Sequence, residues 1–153
     1  MSEISKLPSS VNIPSTTSEL SGSTPHNIEA EQALLGALMI NNDVFDRIDN
    51  IVNETHFFDP VHQKIFEVAA VRIKNNSLAS PVTLKAFLED DPGLNELGGG
   101  AYLVRLAGAA ISIFAARDYA EMIRELATRR SLIEIGNNIS GQAGKIDVDH
   151  DPK

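Results

Sequence analysis

The chain has 153 residues, 42% of them hydrophobic, with 13 basic and 21 acidic side chains and a formal charge of −8. That length and apolar content suffice for one domain with a genuine core, while the acidic balance argues against wrapping nucleic acid, which needs a basic footprint. The absence of cysteine removes disulfides, thiolate metal sites and thiol nucleophiles from consideration.

Residues 1–24 are rich in serine and threonine, with single apolar side chains that follow no period, the composition of a disordered tail. The tail lacks the apolar core of a secretory signal and has no arginine before Arg47, and no run in the chain approaches the roughly 20 apolar residues of a membrane span, so a cytoplasmic protein is expected. The ordered part is expected to begin at Pro25. Asn27 caps a first helix to Ile40, Glu29 and Glu31 place negative charge where the helix dipole favours it, and Ile28, Leu34, Leu35, Leu38 and Met39 supply an apolar face. Gly36 within that face marks a close approach by another helix, since glycine otherwise costs a helix about 1 kcal/mol.

Asn41-Asn42-Asp43 is read as a turn and cap before a short second helix, in which Val44, Phe45, Ile48, Ile51 and Val52 recur at helical spacing. Phe57 and Phe58 are expected to anchor the next connection in the core. Asp59-Pro60 joins a capping side chain to the residue whose missing N–H costs nothing at the first helical position. A third helix therefore runs from Pro60 to about Lys74, burying Val61, Ile65, Phe66, Ala69 and Ile73, and Asn75-Asn76 ends it. Ser80-Pro81 repeats the signal for a fourth helix carrying Leu84, Phe87 and Leu88, and Asp91-Pro92-Gly93 is read as its stop.

Gly98-Gly99-Gly100 breaks the chain before a fifth helix, Ala101 to about Ala109, which turns Tyr102, Leu103 and Leu106 to the core. From Phe114 to about Ser140 there is no proline, and the spacing predicts a sixth helix of roughly 25 residues, about 38 Å long. That is longer than a compact head of this size needs to cover. Its seam of Tyr119, Ile123, Leu126 and Ile133, with Arg129 and Arg130 beside it, is the candidate protein interface. Without β-alternation of useful length, the class is all-α: a helical head of about five helices over residues 25–112, a long helix over 113–142, and a flexible end over 143–153.

Chemical motifs are sparse. His56, Asp59 and His62 make an H-x-x-D-x-x-H pattern that suits zinc or iron, and a helical metal-binding enzyme domain is the alternative reading, although Asp59 already has a role as a cap. The three glycines at 98–100 have neither a preceding strand nor a following lysine to make a phosphate cradle. In Gly141-Gln142-Ala143-Gly144-Lys145, Ile139 stands where a nucleotide loop needs glycine and Ile146 where it needs Ser or Thr. Asn41, Asp43 and Asp46 lack the rest of a calcium loop. Arg117 and Arg124 alternate with Asp118, Glu121 and Glu125 at pairing distance, so they read as a neutralised solvated face. No catalytic, cofactor or metal site emerges.

Three blocks in fixed order carry a resemblance: Pro25-His26-Asn27-Ile28-Glu29-Ala30-Glu31-Gln32 leading to Leu35-Gly36; Phe57-Phe58 with His62 and Ile65-Phe66; and Gly98-Gly99-Gly100-Ala101-Tyr102-Leu103. Over residues 25–140 the chain resembles the N-terminal domain of the bacterial replicative DNA helicase, the DnaB family. The resemblance implies a helical head followed by a helical hairpin, pairing of subunits inside a hexameric ring, and a docking surface for primase and for a helicase loader. It also implies that ATP and magnesium serve a separate RecA-like domain that is absent here, and that the second hairpin helix begins at about Lys153, so this piece has no catalytic role and does not itself bind nucleic acid.

Overall fold

The computed structural model describes residues 24–149, with side chains through Lys145. The tail expected over 1–24 lies outside the described residues except for Thr24. Among the described residues seven α-helices follow one another: α1 Ile28–Ile40, α2 Val44–Ile48, α3 Pro60–Lys74, α4 Pro81–Phe87, α5 Pro92–Glu96, α6 Gly100–Gly108 and α7 Ala116–Asp149, with a 3-10 turn, Glu54–His56, ahead of α3. No strand occurs among the described residues, so the fold is all-α as expected.

α1 is the axis of the head. It packs against α6, α7 and α3, and it is buried on every side from Ala30 to Met39 except at Gln32, where the sequence suggested a single apolar face. The Asn27 side chain accepts from the Ala30 N–H at 3.0 Å, closing the first turn as expected. Gly36 faces α6 so closely that a Cβ there would stand 1.9 Å from the Leu106 carbonyl oxygen. Around these two helices Leu34, Leu35, Leu38, Phe57, Ile65, Leu103, Leu106 and Ile123 are fully enclosed.

The caps recur where a side-chain oxygen precedes proline. Asp59 accepts from Val61 N–H at 2.8 Å, and Ser80 and Thr83 bond each other's backbone N–H reciprocally. Asp91-Pro92 does the same: the carboxylate accepts from Leu94 N–H at 2.8 Å and opens α5. The segment read as a stop is therefore a stop and a start, and Leu94 adds a buried side chain to the core. α3 ends with Asn76 at φ 58, the left-handed conformation that Asn tolerates better than most residues. Gly98 and Gly99, at φ 112 and 63, make the turn into α6, where a side chain would be strained.

Four further details differ from the sequence reading. Phe58 is 37% exposed rather than a core anchor: Glu31 holds its backbone N–H, and its ring lies against His26 and Arg130 instead of in the core. Phe87 is likewise exposed, while Leu84 and Leu88 alone turn inward. Asn42 is a tertiary staple: its amide donates to the Leu38 and Ala79 carbonyls and its oxygen accepts from Ala79 N–H. Finally, α7 stays helical to Asp149, giving it 34 residues and a length of about 51 Å.

Candidate interaction surface on the long helix

The polar residues that the sequence offered for chemistry converge in the head, but as a clasp. Glu31, only 2% exposed, accepts from Phe58 N–H at 2.8 Å and Asp59 N–H at 3.3 Å, and its Oε1 lies 2.8 Å from His62 Nδ1. His62 Nε2 is 2.6 Å from the Tyr102 hydroxyl, which accepts from the Gln32 amide at 3.3 Å. Both ring nitrogens, the carboxylate and the hydroxyl thus each have a hydrogen-bond partner. Burial raises the Tyr102 phenol above its ordinary value, opposed by the bond from Gln32. A carboxylate, an imidazole and a hydroxyl in line resemble a catalytic relay. Here, however, the hydroxyl is on a buried tyrosine, so the relay ties α1, the 57–59 segment, α3 and α6 together.

That arrangement overturns the metal alternative at His56, Asp59 and His62. His62 has both ring nitrogens engaged, Asp59 faces the start of α3, and His56 Nδ1 accepts from Asn53 N–H at 3.0 Å. The acceptor lone pairs a cation would need are directed at three different partners. No group of three or more His, Asp or Glu among the described residues is placed to hold a metal. Glu31, read from the sequence as a dipole charge, is the residue that organises the cluster; the only hint was a glutamate inside a segment otherwise destined for burial.

α7 divides along its length. Ala116, Ala120, Ile123 and Ala127, spaced by four, three and four, press onto the head, and their small side chains let the helix lie close. Tyr119 is half-buried against the core and Leu126 is half-buried, so the part of the expected seam near Ile123 is already covered within the chain. Arg130 closes this contact: it donates to the Pro25 and His56 carbonyls at 2.8 and 2.7 Å and sits over the Phe58 ring, which stacks on His26 at 4.3 Å. Burial, reinforced by Arg124 and Arg130 and opposed by Glu54, holds the nearby His56 imidazole below its ordinary value. Arg129 pairs with Glu125 and Arg117 with Glu121, the exposed i, i+4 pairs expected of a solvated face.

From Ser131 to Lys145 every residue of α7 is exposed. Of the expected interface side chains, Arg129 and Ile133 remain largely open, at 61 and 46% exposure. Leu132, Ile135 and Ile139, at 62, 53 and 63% exposure, form a second stripe at spacings of three and four. Leu132, Ile139 and Ile135 stand about 180°, 160° and 120° around the helix from Ile123, which turns the stripe away from that contact. The sequence reading followed the longer seam and passed over this stripe, although its spacing was available.

A family model for the DnaB-like helicase N terminal domain matches residues 23–125. The chain is 33% identical over 129 residues to the replicative DNA helicase DnaB of Rickettsia bellii, covering 84% of this chain and 26% of that protein. It is 38% identical over 119 residues to the replicative DNA helicase DnaB of Haemophilus influenzae, covering 76% and 25%. The chain thus spans about a quarter of the length of these curated relatives. Among solved structures, the crystal structure of the N-terminal domain of DnaB helicase from Mycobacterium tuberculosis superposes with a TM-score of 0.73 at 28% identity, covering 83% of this chain and 94% of that one.

Proposed function

Because the chain belongs to the DnaB-like helicase N-terminal domain family, we propose that it serves replication as a non-catalytic assembly and docking module of a hexameric helicase. In this reading it contributes to the ring and receives primase or a loader in the cytoplasm, while ATP hydrolysis resides in another part of the protein. The observation that supports it most directly is the exposed stripe of Leu132, Ile135 and Ile139, turned away from Ile123 on a helix that continues past the head. A helix apolar on its outer side has one ready use, packing on another helix.

The strength of that packing follows from its size. Burying an aliphatic side chain of this kind gives about 1.5–3 kcal/mol when it starts fully exposed. Six such side chains across a two-fold pair, each already partly covered, give roughly 5–11 kcal/mol, against an association cost of about 4–15 kcal/mol. Self-association through this stripe alone is therefore weak. Light scattering is expected to show a mass that rises with concentration between about 10 µM and 1 mM, and L132D with I139D to abolish the rise. A strictly monomeric chain at the highest concentration, or a rise indifferent to both substitutions, refutes the assembly role. Primase docking is tested separately, by titrating the primase C-terminal domain while following backbone NMR shifts; shifts that miss both α7 and the head reject it.

A further inference from the structure

α3 has a second face, turned away from the core. Lys64, Glu67, Val71 and Arg72 recur there at helical spacing and, with Phe87 of α4 and with Val68, which also packs on the core, line an open groove. Val71 is 55% and Phe87 61% exposed, so the groove keeps two large apolar side chains in water. Lys64 is answered by Glu67 at 3.2 Å. Arg72 is not: its Nε donates to the Leu78 carbonyl at 2.7 Å, its guanidinium lies 4.6 Å above the Phe87 ring, and no carboxylate among the described residues pairs with it.

The combination is specific in sign. Arg72 is immobilised by a backbone carbonyl and an aromatic face, which leaves its terminal N–H groups pre-oriented beside an apolar floor. We infer that this groove docks an acidic peptide segment, an aliphatic or aromatic side chain of which enters between Val71 and Phe87 while a neighbouring Asp or Glu pairs with Arg72. A basic segment would meet the unanswered guanidinium. A nucleic acid would need several phosphates neutralised, and among the described residues the groove offers one cation without a carboxylate partner, on a chain of charge −8. The inference stands independently of the assembly role, which uses the outer side of α7.

Fluorescence polarisation tests it, with the chain carrying L132D and I139D so that pairing through α7 does not contribute. The probe is a fluorescein-labelled peptide of sequence EDLEALFED; its counterpart KKLKALFKK and a labelled oligo-dT serve as competitors in class. Saturable binding of the acidic peptide below about 1 mM, weakened about tenfold by R72E and by V71E separately, is expected. Backbone NMR shifts should centre on α3 and α4. Val71 is exposed and makes no hydrogen bond through its side chain, so V71E reads the groove even where R72E disturbs the 72–78 turn. Absence of saturation, equal or tighter binding of the basic peptide or the oligonucleotide, indifference to V71E, or shifts away from α3 and α4 each overturn the proposal. So does a concentration-dependent mass without peptide that V71E removes, since a second copy would then fill the groove.

Discussion

Replacing Gly36 by alanine sets two effects of opposite sign against each other. Helix propensity favours alanine by about 1 kcal/mol. Against it, the added methyl would sit 1.9 Å from the Leu106 oxygen, 2.9 Å from the Leu106 carbonyl carbon and 3.0 Å from the Ala110 nitrogen. All three atoms are backbone, so no side chain can rotate away, and about 1.5 Å of separation is needed to regain an ordinary contact of 3.4 Å. Parting α1 from α6 by that amount loosens the layer containing Leu35, Leu103 and Leu106. Overpacking of this kind typically costs 1–3 kcal/mol, and a backbone obstacle places Gly36→Ala at the upper end, about 3 kcal/mol, or about 2 kcal/mol net of the propensity gain. With about 2.1 cal/mol/K of unfolding entropy per residue over a domain of this size, the midpoint of thermal unfolding falls by about 8 °C. Circular dichroism melts and urea titrations measure both quantities. Gly108→Ala is the control: at the end of α6, with nothing within 4 Å of its added carbon, it is expected to be neutral or mildly stabilising. A Gly36→Ala chain as stable as the parent would refute the close-approach argument.

The buried clasp makes a prediction that separates it from a simple dipole effect. E31Q turns one of the two oxygens that serve two backbone N–H groups and His62 into an NH2 donor, and should destabilise the head by about 2 kcal/mol, whereas a dipole charge alone is worth less than about 1 kcal/mol. Exposed Glu29 supplies the comparison, and equal effects of E29Q and E31Q in urea titrations sink the clasp. Y102F should cost about 1 kcal/mol, with a non-additive term in the double variant because His62 joins the two positions. The lowered His56 value predicts a pH dependence. Between the folded value and 6.5 the unfolded chain binds more protons, so stability is fully present above 6.5 and is lost as pH falls from there through the folded value. H56N should flatten that slope in melts taken from pH 7.5 to 5; an unchanged slope assigns it to other groups.

What the chain disclosed in advance depended on the range of the interaction. Caps at Asn27, Asp59 and Ser80 were legible because the oxygen and the N–H it satisfies lie within three residues. Gly36 was legible because a glycine in a buried helix has few other uses. Asp91 carried the same local signal as Asp59, but the following Gly93 drew attention to helix breaking and concealed α5. Glu31 and Asn42 had adequate local explanations, which hid partners 27 and 37 residues away. In α7 the period showed that a helix forms, but only the docked head decides which of its stripes is covered. Ile123 and Leu132 are equally apolar in the sequence and end up on opposite sides.

Among the described residues the last side-chain hydrogen bonds from α7 to the head are those of Arg130 to the carbonyls of Pro25 and His56. From there to Asp149 the helix extends about 28 Å, with every residue from Ser131 to Lys145 exposed, so a tilt of about 10° at Arg130 displaces the far end by about 5 Å. The guanidinium thus acts as a fulcrum and the outer half of α7 as a lever. Because the fulcrum bonds to Pro25, three residues ahead of α1, and to the last residue of the 3-10 turn, small rearrangements at the entrance to the head are magnified at the stripe where a neighbour would bind.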